Sequence, residues 1–209
     1  MNSLSRVAAQ VRATSCRQGF SLIEMLVSVA LMLILFTMMY GFGSKKNQMN
    51  QKQRCEANLQ KLFISFQIYA NEQHNTFPVV TNARTAEEAL DGLVPRYTAD
   101  TALFICPGSK DDPLEAGESL RKGRISYSYY MGRKPDEADA VLVTDKQINS
   151  EAKLAGDPLF SATGKKPGNN HHKYGGNLMF TDGSIKTSPA AAAFDLPLRT
   201  NVVLLNPKP

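Results

Sequence analysis

From Met25 to Gly43 this chain carries no charged residue, and a glutamate, Glu24, stands at the head of the run. Together with Phe20 to Ile23 the apolar stretch is about long enough to cross a ~30 Å hydrocarbon core as a helix. A carboxylate at the rim of such a segment is costly in lipid unless something positive meets it, which makes Glu24 a functional feature. Ahead of it lies a basic, acid-free leader carrying Arg6, Arg12 and Arg17. The polar-to-apolar junction falls at Gly19/Phe20. After Leu35 the chain reads Phe36-Thr37-Met38-Met39-Tyr40, without the small-residue pattern at which a secretory signal peptide is cut.

Gly19, Phe20 and Glu24, followed by the charge-free run, resemble the leader of type IV prepilins. In that family a prepilin peptidase cuts after the glycine and leaves the apolar helix on the mature protein. The resemblance implies cleavage after Gly19, N-methylation at Phe20, and Glu24 as fifth residue of the product. The freed amine is a cation at the membrane edge, and Glu24 is its counter-ion. Residues four apart share a helix face, so the pair can close within one chain; in pilin-like assemblies the glutamate meets the amine of a neighbouring subunit. An unpaired charge in low dielectric costs several kcal/mol, so pairing sets the register of incoming subunits. The local alternative is a capping box, Ser21 to Glu24, at an ordinary helix start.

The charge balance fits a tethered domain. Taking away Arg6, Arg12 and Arg17 with the leader lowers the net charge from +5 to +2, which is no footprint for nucleic acid. Lys45, Lys46, Lys52 and Arg54 form a basic collar that competes with the leader for the cytoplasmic side on positive-inside grounds. The leader adjoins the membrane more directly and the resemblance favours leader-inside, so the C-terminal part is expected outside the cytoplasm. There the mature chain keeps two cysteines, Cys55 and Cys106. An even pair in an oxidising compartment is a disulfide candidate, worth ~4 kcal/mol for a loop this long; the alternative is two buried free thiols. The absence of a C-x-x-C pair gives zinc-site or thioredoxin-type readings no support.

Beyond the apolar run, Cys55, Leu59, Leu62, Phe63, Phe66, Tyr69 and Ala70 recur at three- and four-residue spacing, predicting an amphipathic continuation of the helix with one core-facing stripe. No proline interrupts Phe20 to Phe77, and Asn75-Thr76 with Pro78 mark the end, giving one helix of about 50 residues. Arg54-Cys55-x-x-Asn58-Leu59-x-x-Leu62, Tyr69 and Phe77-Pro78 are similar to a pattern of bacterial pseudopilin-like proteins. Phe104-Ile105-Cys106-Pro107 and His172-x-x-Gly175-Gly176-Asn177-x-x-Phe180-x-Asp182-Gly183-Ser184 resemble two further elements of the same group.

The remainder reads as α+β with short strands. Thr85-x-x-Glu88 is a capping box opening a short helix through Leu93, stopped by Pro95. Strands are expected at Leu103–Cys106, Ile125–Met131 and Ala140–Thr144, and as a hairpin at Asn177–Phe180 and Ser184–Thr187 around Asp182-Gly183. Residues 107–124 and 149–175 read as loops, and the tail after Ala193 has no assignment. The implied organisation is a leader over 1–19, a transmembrane helix over 20–43, its amphipathic continuation over 44–77, a globular antiparallel-sheet domain over 78–188, and a tail over 189–209. The fold class is α+β and pilin-like, with the long helix packed on a small antiparallel sheet.

His171, His172 and Asp182, with Asp145 and Asp157 nearby in type, are the set that an enzyme or transition-metal site would draw on. Adjacent histidines on a strand point apart and no third ligand has characteristic spacing, so His172 is expected to lock the glycine-rich loop, His171 to be exposed, and Asp182 to serve the turn. For calcium, Asp111, Asp112 and Glu115, or Asp136, Glu137 and Asp139, are oxygen-rich but lack the loop pattern and read as solvated surface acids. No catalytic residue, metal ligand or cofactor is expected. The expected role is a structural subunit of a type II secretion or type IV pilus-like filament in the inner membrane. Its partners are prepilin peptidase, other pilin-like subunits and an inner-membrane assembly platform. The alternative is a single-pass anchored extracytoplasmic binding protein or enzyme.

Overall fold

The computed structural model describes residues 21–137 and 139–209, with side chains throughout except over 39–45. Helix α1, Leu22–Glu72, is 51 residues long and contributes to two compact units, Met1–Gly43 and Ser44–Pro209.

In the first unit the helix is apolar all round. Leu22, Ile23, Met25, Leu26, Leu31 and Met32 are among a row of large side chains more than half exposed. Two of its hydroxyls are satisfied internally: Ser28 Oγ donates to Met25 O at 2.9 Å and Thr37 Oγ1 to Ile34 O at 2.8 Å, which lowers their cost in an apolar surround. Among the described residues no helix is long and apolar enough to cross a membrane. Leu22 to Met38 rise about 25 Å, short of a ~30 Å core, and the next seven side chains lie outside the description.

In the second unit α1 turns amphipathic as the spacing predicts. Cys55, Leu59, Leu62, Phe66 and Ala70 are buried, with Phe63 and Tyr69 packed beside them. The helix stops where His74 (φ 53°) and Asn75 (φ 57°) turn left-handed and Asn75 N–H reaches back to Ala70 O at 2.9 Å, a hydrogen-bonded termination that satisfies orphan carbonyls. Helix α2, Ala86–Leu90, continues as a 3-10 turn over Asp91–Leu93. Neither bond of the expected capping box is made. Glu88 Oε2 accepts from Arg84 N–H at 2.7 Å, while Thr85 makes no side-chain cap bond.

The strands are β1 Tyr127–Met131, β2 Val141–Asp145, β3 Gly176–Phe180, β4 Ile185–Ser188 and β5 Val203–Leu205, in the order β4-β3-β2-β1-β5 and antiparallel at every pairing. Four were legible from alternation and the Asp182-Gly183 turn. The fifth comes from the C-terminal segment that carried no assignment. The expected strand at Leu103–Cys106 is instead a 3-10 turn over Thr101–Phe104, because Asp100 Oδ1 caps Ala102 N–H at 3.1 Å and winds the chain before the apolar run can extend.

Both faces of the sheet are covered. On one, Tyr127, Tyr129, Val143 and Met179 meet the stripe of α1, with Phe66 stacked on Tyr129 and edge-on to Phe77, each at 5.6 Å between centroids. On the other, Tyr130, Leu178 and Phe180 pack under Leu159, Phe160, Ala192 and Leu196. Residues 149–175 are thus irregular, as expected, but Lys153, Leu159, Phe160, Ser161, Asn170 and His171 among them are buried.

Candidate functional site

Two places carry chemistry. The first is the start of α1, where Glu24 is exposed in the first turn and Ser21 O accepts from Glu24 N–H at 3.0 Å and Met25 N–H at 3.2 Å. An acidic group there faces the unpaired N–H groups of the helix start, a favourable electrostatic position. Gly19 and Phe20, at which cleavage and methylation are expected, lie outside the described residues.

The second is a buried polar centre in the globular unit, assembled from four separate segments. Cys55 projects from α1, Cys106 follows the 3-10 turn, Asp145 ends β2, and His171 sits in the turn that leads into β3. One ligand-type atom from each lies within 4.8 Å of all the others. Their relative exposures are 0%, 0%, 1% and 0%, so bulk solvent does not screen them.

The contacts inside the centre are specific. Cys55 Sγ donates to Asp145 Oδ1 at 3.2 Å and meets Tyr127 Oη at 3.2 Å. Cys106 Sγ lies 3.1 Å from His171 Nε2 and accepts from Gly108 N–H at 3.3 Å. His171 Nδ1 is 3.3 Å from Gly175 O and 3.4 Å from Asp145 Oδ2. Asp145 is held from outside by Asn177 N–H at 2.7 Å and Asn170 Nδ2 at 2.9 Å. Position 108 must be glycine for close approach, since a Cβ there would lie 2.1 Å from Asn170 O.

Electrostatics follow from burial and proximity. Burial pushes the Cys55 thiol well above its ordinary value, helped by its hydrogen bond with Cys106 and by the Asp145 carboxylate. Burial also opposes ionisation of Cys106, but hydrogen bonds from Cys55 and His171 outweigh it and draw this thiol down. His171 is disfavoured as a cation by burial, yet Asp145 and Cys106 raise it to about 9. Lys52, one helical turn before Cys55, is 7% exposed and feels both Asp145 and Cys55, with burial lowering its ammonium overall. Its Nζ donates to Tyr174 O at 3.2 Å and its carbonyl accepts from Asn177 Nδ2 at 3.0 Å.

Cys106, His171 and Asp145 have the connectivity of a nucleophile–base–orienter chain. All three residues are buried, Cys106 and His171 at 0% and Asp145 at 1% exposure.

Several expectations change here. His171, expected on the surface, is interior, and it is His172 that is exposed, at φ 56° with its ring against Gly164. The reason is the turn at 171–174, which aims the first ring inward and the second out. Asp182 keeps to the turn, its Oδ1 accepting Ser184 N–H at 2.8 Å, and Asp157 caps Leu154 N–H at 2.8 Å. The histidine pair and Asp182 therefore do not converge. Asp112, Glu115, Asp136 and Asp139 are exposed, Asp111 accepts from Ser126 Oγ at 3.0 Å, and Glu137 pairs with Arg133 at 3.0 Å. Cys55 and Cys106 are both buried and free, with their sulfurs within 4.8 Å of each other. Asp145 went unrecognised as a partner of the two cysteines. The only signal was its place at the end of an apolar strand, where a buried carboxylate is unusual.

A family model described as the prokaryotic N-terminal methylation motif matches residues 14–40. No curated protein and no solved structure matches the chain. The match contains the basic-to-apolar junction, Glu24 and the described exposed apolar turns of α1, and the rest of α1 packs on an antiparallel sheet: residues 14–40 carry a prokaryotic N-terminal methylation motif, and the fold is α+β and pilin-like.

Proposed function

We propose that this protein is a structural subunit of a type II secretion or type IV pilus-like filament. Prepilin peptidase removes residues 1–19 and methylates Phe20. The helix over 20–43 holds the subunit in the inner membrane, with the globular unit outside the cytoplasm. The assembly platform then draws it into a filament whose core is built from packed helices. The observation that carries this reading is the coincidence of the methylation motif with an apolar helix that opens on Glu24. Once the leader is gone, that carboxylate and the new amine are opposite charges at one helix start, and each needs the other in lipid.

Mass spectrometry of the mature N-terminus tests processing: N-methylphenylalanine at Phe20 is expected, whereas an intact Met1 or a cut after Tyr40 refutes it. Assembly is tested separately. Glu24→Ala should insert and be cleaved normally but fail to enter filaments, and wild-type incorporation would defeat the charge-pairing role.

A further inference from the structure

We propose that Cys55, Cys106, Asp145 and His171 form a closed tetrahedral zinc site that ties helix α1 to the sheet. The donor set is two thiolates, one imidazole and one carboxylate, the set that zinc accepts and that calcium or magnesium does not. Metal–ligand bonds of about 2.0–2.3 Å give a tetrahedron with edges of about 3.3–3.8 Å. The four donors already lie within 4.8 Å of one another, with Cys55 Sγ to Asp145 Oδ1 at 3.2 Å and Cys106 Sγ to His171 Nε2 at 3.1 Å, so small side-chain adjustments suffice.

The surroundings are those of a built site. Gly108 N–H points at the Cys106 sulfur and Tyr127 Oη meets the Cys55 sulfur. Asn170 and Asn177 fix the carboxylate. Such outer contacts orient ligands and select their basic form. Binding displaces the two thiol protons, and the proton that His171 carries as an imidazolium, to solvent. Two thiolates, a carboxylate and Zn²⁺ leave one negative charge, next to which the buried Lys52 supplies a positive one. A disulfide would use the two sulfurs and strand Asp145 and His171 in the interior, whereas a metal employs all four. This inference concerns the globular unit and is independent of processing at Gly19.

The test uses the full chain, purified in detergent without added metal. Elemental analysis should find close to one zinc per chain. Replacement by cobalt(II) should give a near-ultraviolet thiolate charge-transfer band and the intense visible bands of a tetrahedral ion. Asp145→Asn and His171→Asn should each weaken zinc at least about tenfold, while Asp157→Asn should leave it unchanged. The cobalt spectrum of the wild type carries the test even where a variant fails to fold. A metal-free protein with Cys55 bridged to Cys106 overturns the proposal. So do a metal-free protein with two titratable thiols, and zinc that persists when both cysteines are replaced by serine.

Discussion

Glu87 offers a sharp test of how the C-terminal segment is held. Its side chain is 0% exposed in α2. Oε1 accepts from Ile125 N–H at 3.1 Å and from Lys208 N–H at 3.0 Å, with Oε2 3.2 Å from the same Lys208 nitrogen. One carboxyl thus closes two chain ends that have no ladder partner of their own, the approach to β1 and the run just after β5. In Glu87→Ala the Ile125 N–H stays buried and unpaired, at about 1–3 kcal/mol. Lys208 is half-buried, so water recovers part of that bond and about half the penalty applies. With the small void left behind, the loss should total about 2–5 kcal/mol. Glu87→Gln keeps an oxygen at the shared position and should lose only about 1 kcal/mol. Urea unfolding followed by tyrosine fluorescence, in a chain with no tryptophan, measures both. Hydrogen exchange should show faster amides at Val203–Leu205 in the alanine variant before any global loss. If Glu87→Ala costs under about 1 kcal/mol, or if β5 amides stay protected, the clamp is not what holds this edge.

Two further outcomes bear on the site and the hairpin. In reduced, zinc-free protein His171 is raised from 6.5 to about 9 by Asp145 and Cys106 against burial. A raised folded value means the contribution is fully present below pH about 6.5 and is lost as pH climbs through about 9, up to about 3 kcal/mol. Urea midpoints across that range should fall, and a flat profile would refute the ion pair. Gly183 sits at φ +84°, and an added Cβ would meet the Phe63 ring at 2.4 Å. Gly183→Ala should therefore cost about 1–3 kcal/mol by strain, read in the same unfolding assay, and an unchanged midpoint would show the turn relaxes freely.

Much of this architecture was readable because its signals are local. The three- and four-residue spacing from Cys55 to Ala70, the tyrosine alternation in β1 and the Asp-Gly turn each report on neighbours in the chain. Strand β5 was not read, although Val202-Val203-Leu204-Leu205 carries a short apolar run, since proline on either side masked it and its partner lies far away in sequence. Leu103–Cys106 misled for the opposite reason: its apolar run suits a strand, but Asp100 just before it caps a turn. The buried centre was half visible. Its cysteines stood out, while Asp145 and His171 join them only through tertiary packing, with no spacing rule to announce the set. Asn58, which donates to Ile105 O at 3.0 Å, and Asn177, which bonds both Asp145 and the Lys52 carbonyl, show what the motif-like stretches share: they converge on that centre.

The placing of β5 beside β1 also orders events in time. During synthesis β1 emerges while residues 132–202 are still to come, and until Val203–Leu205 arrives its outer edge offers unpaired backbone groups to any passing strand. A nascent chain interrupted before that point would be a sticky half-sheet, so quality control by the cell has a defined window in which to act.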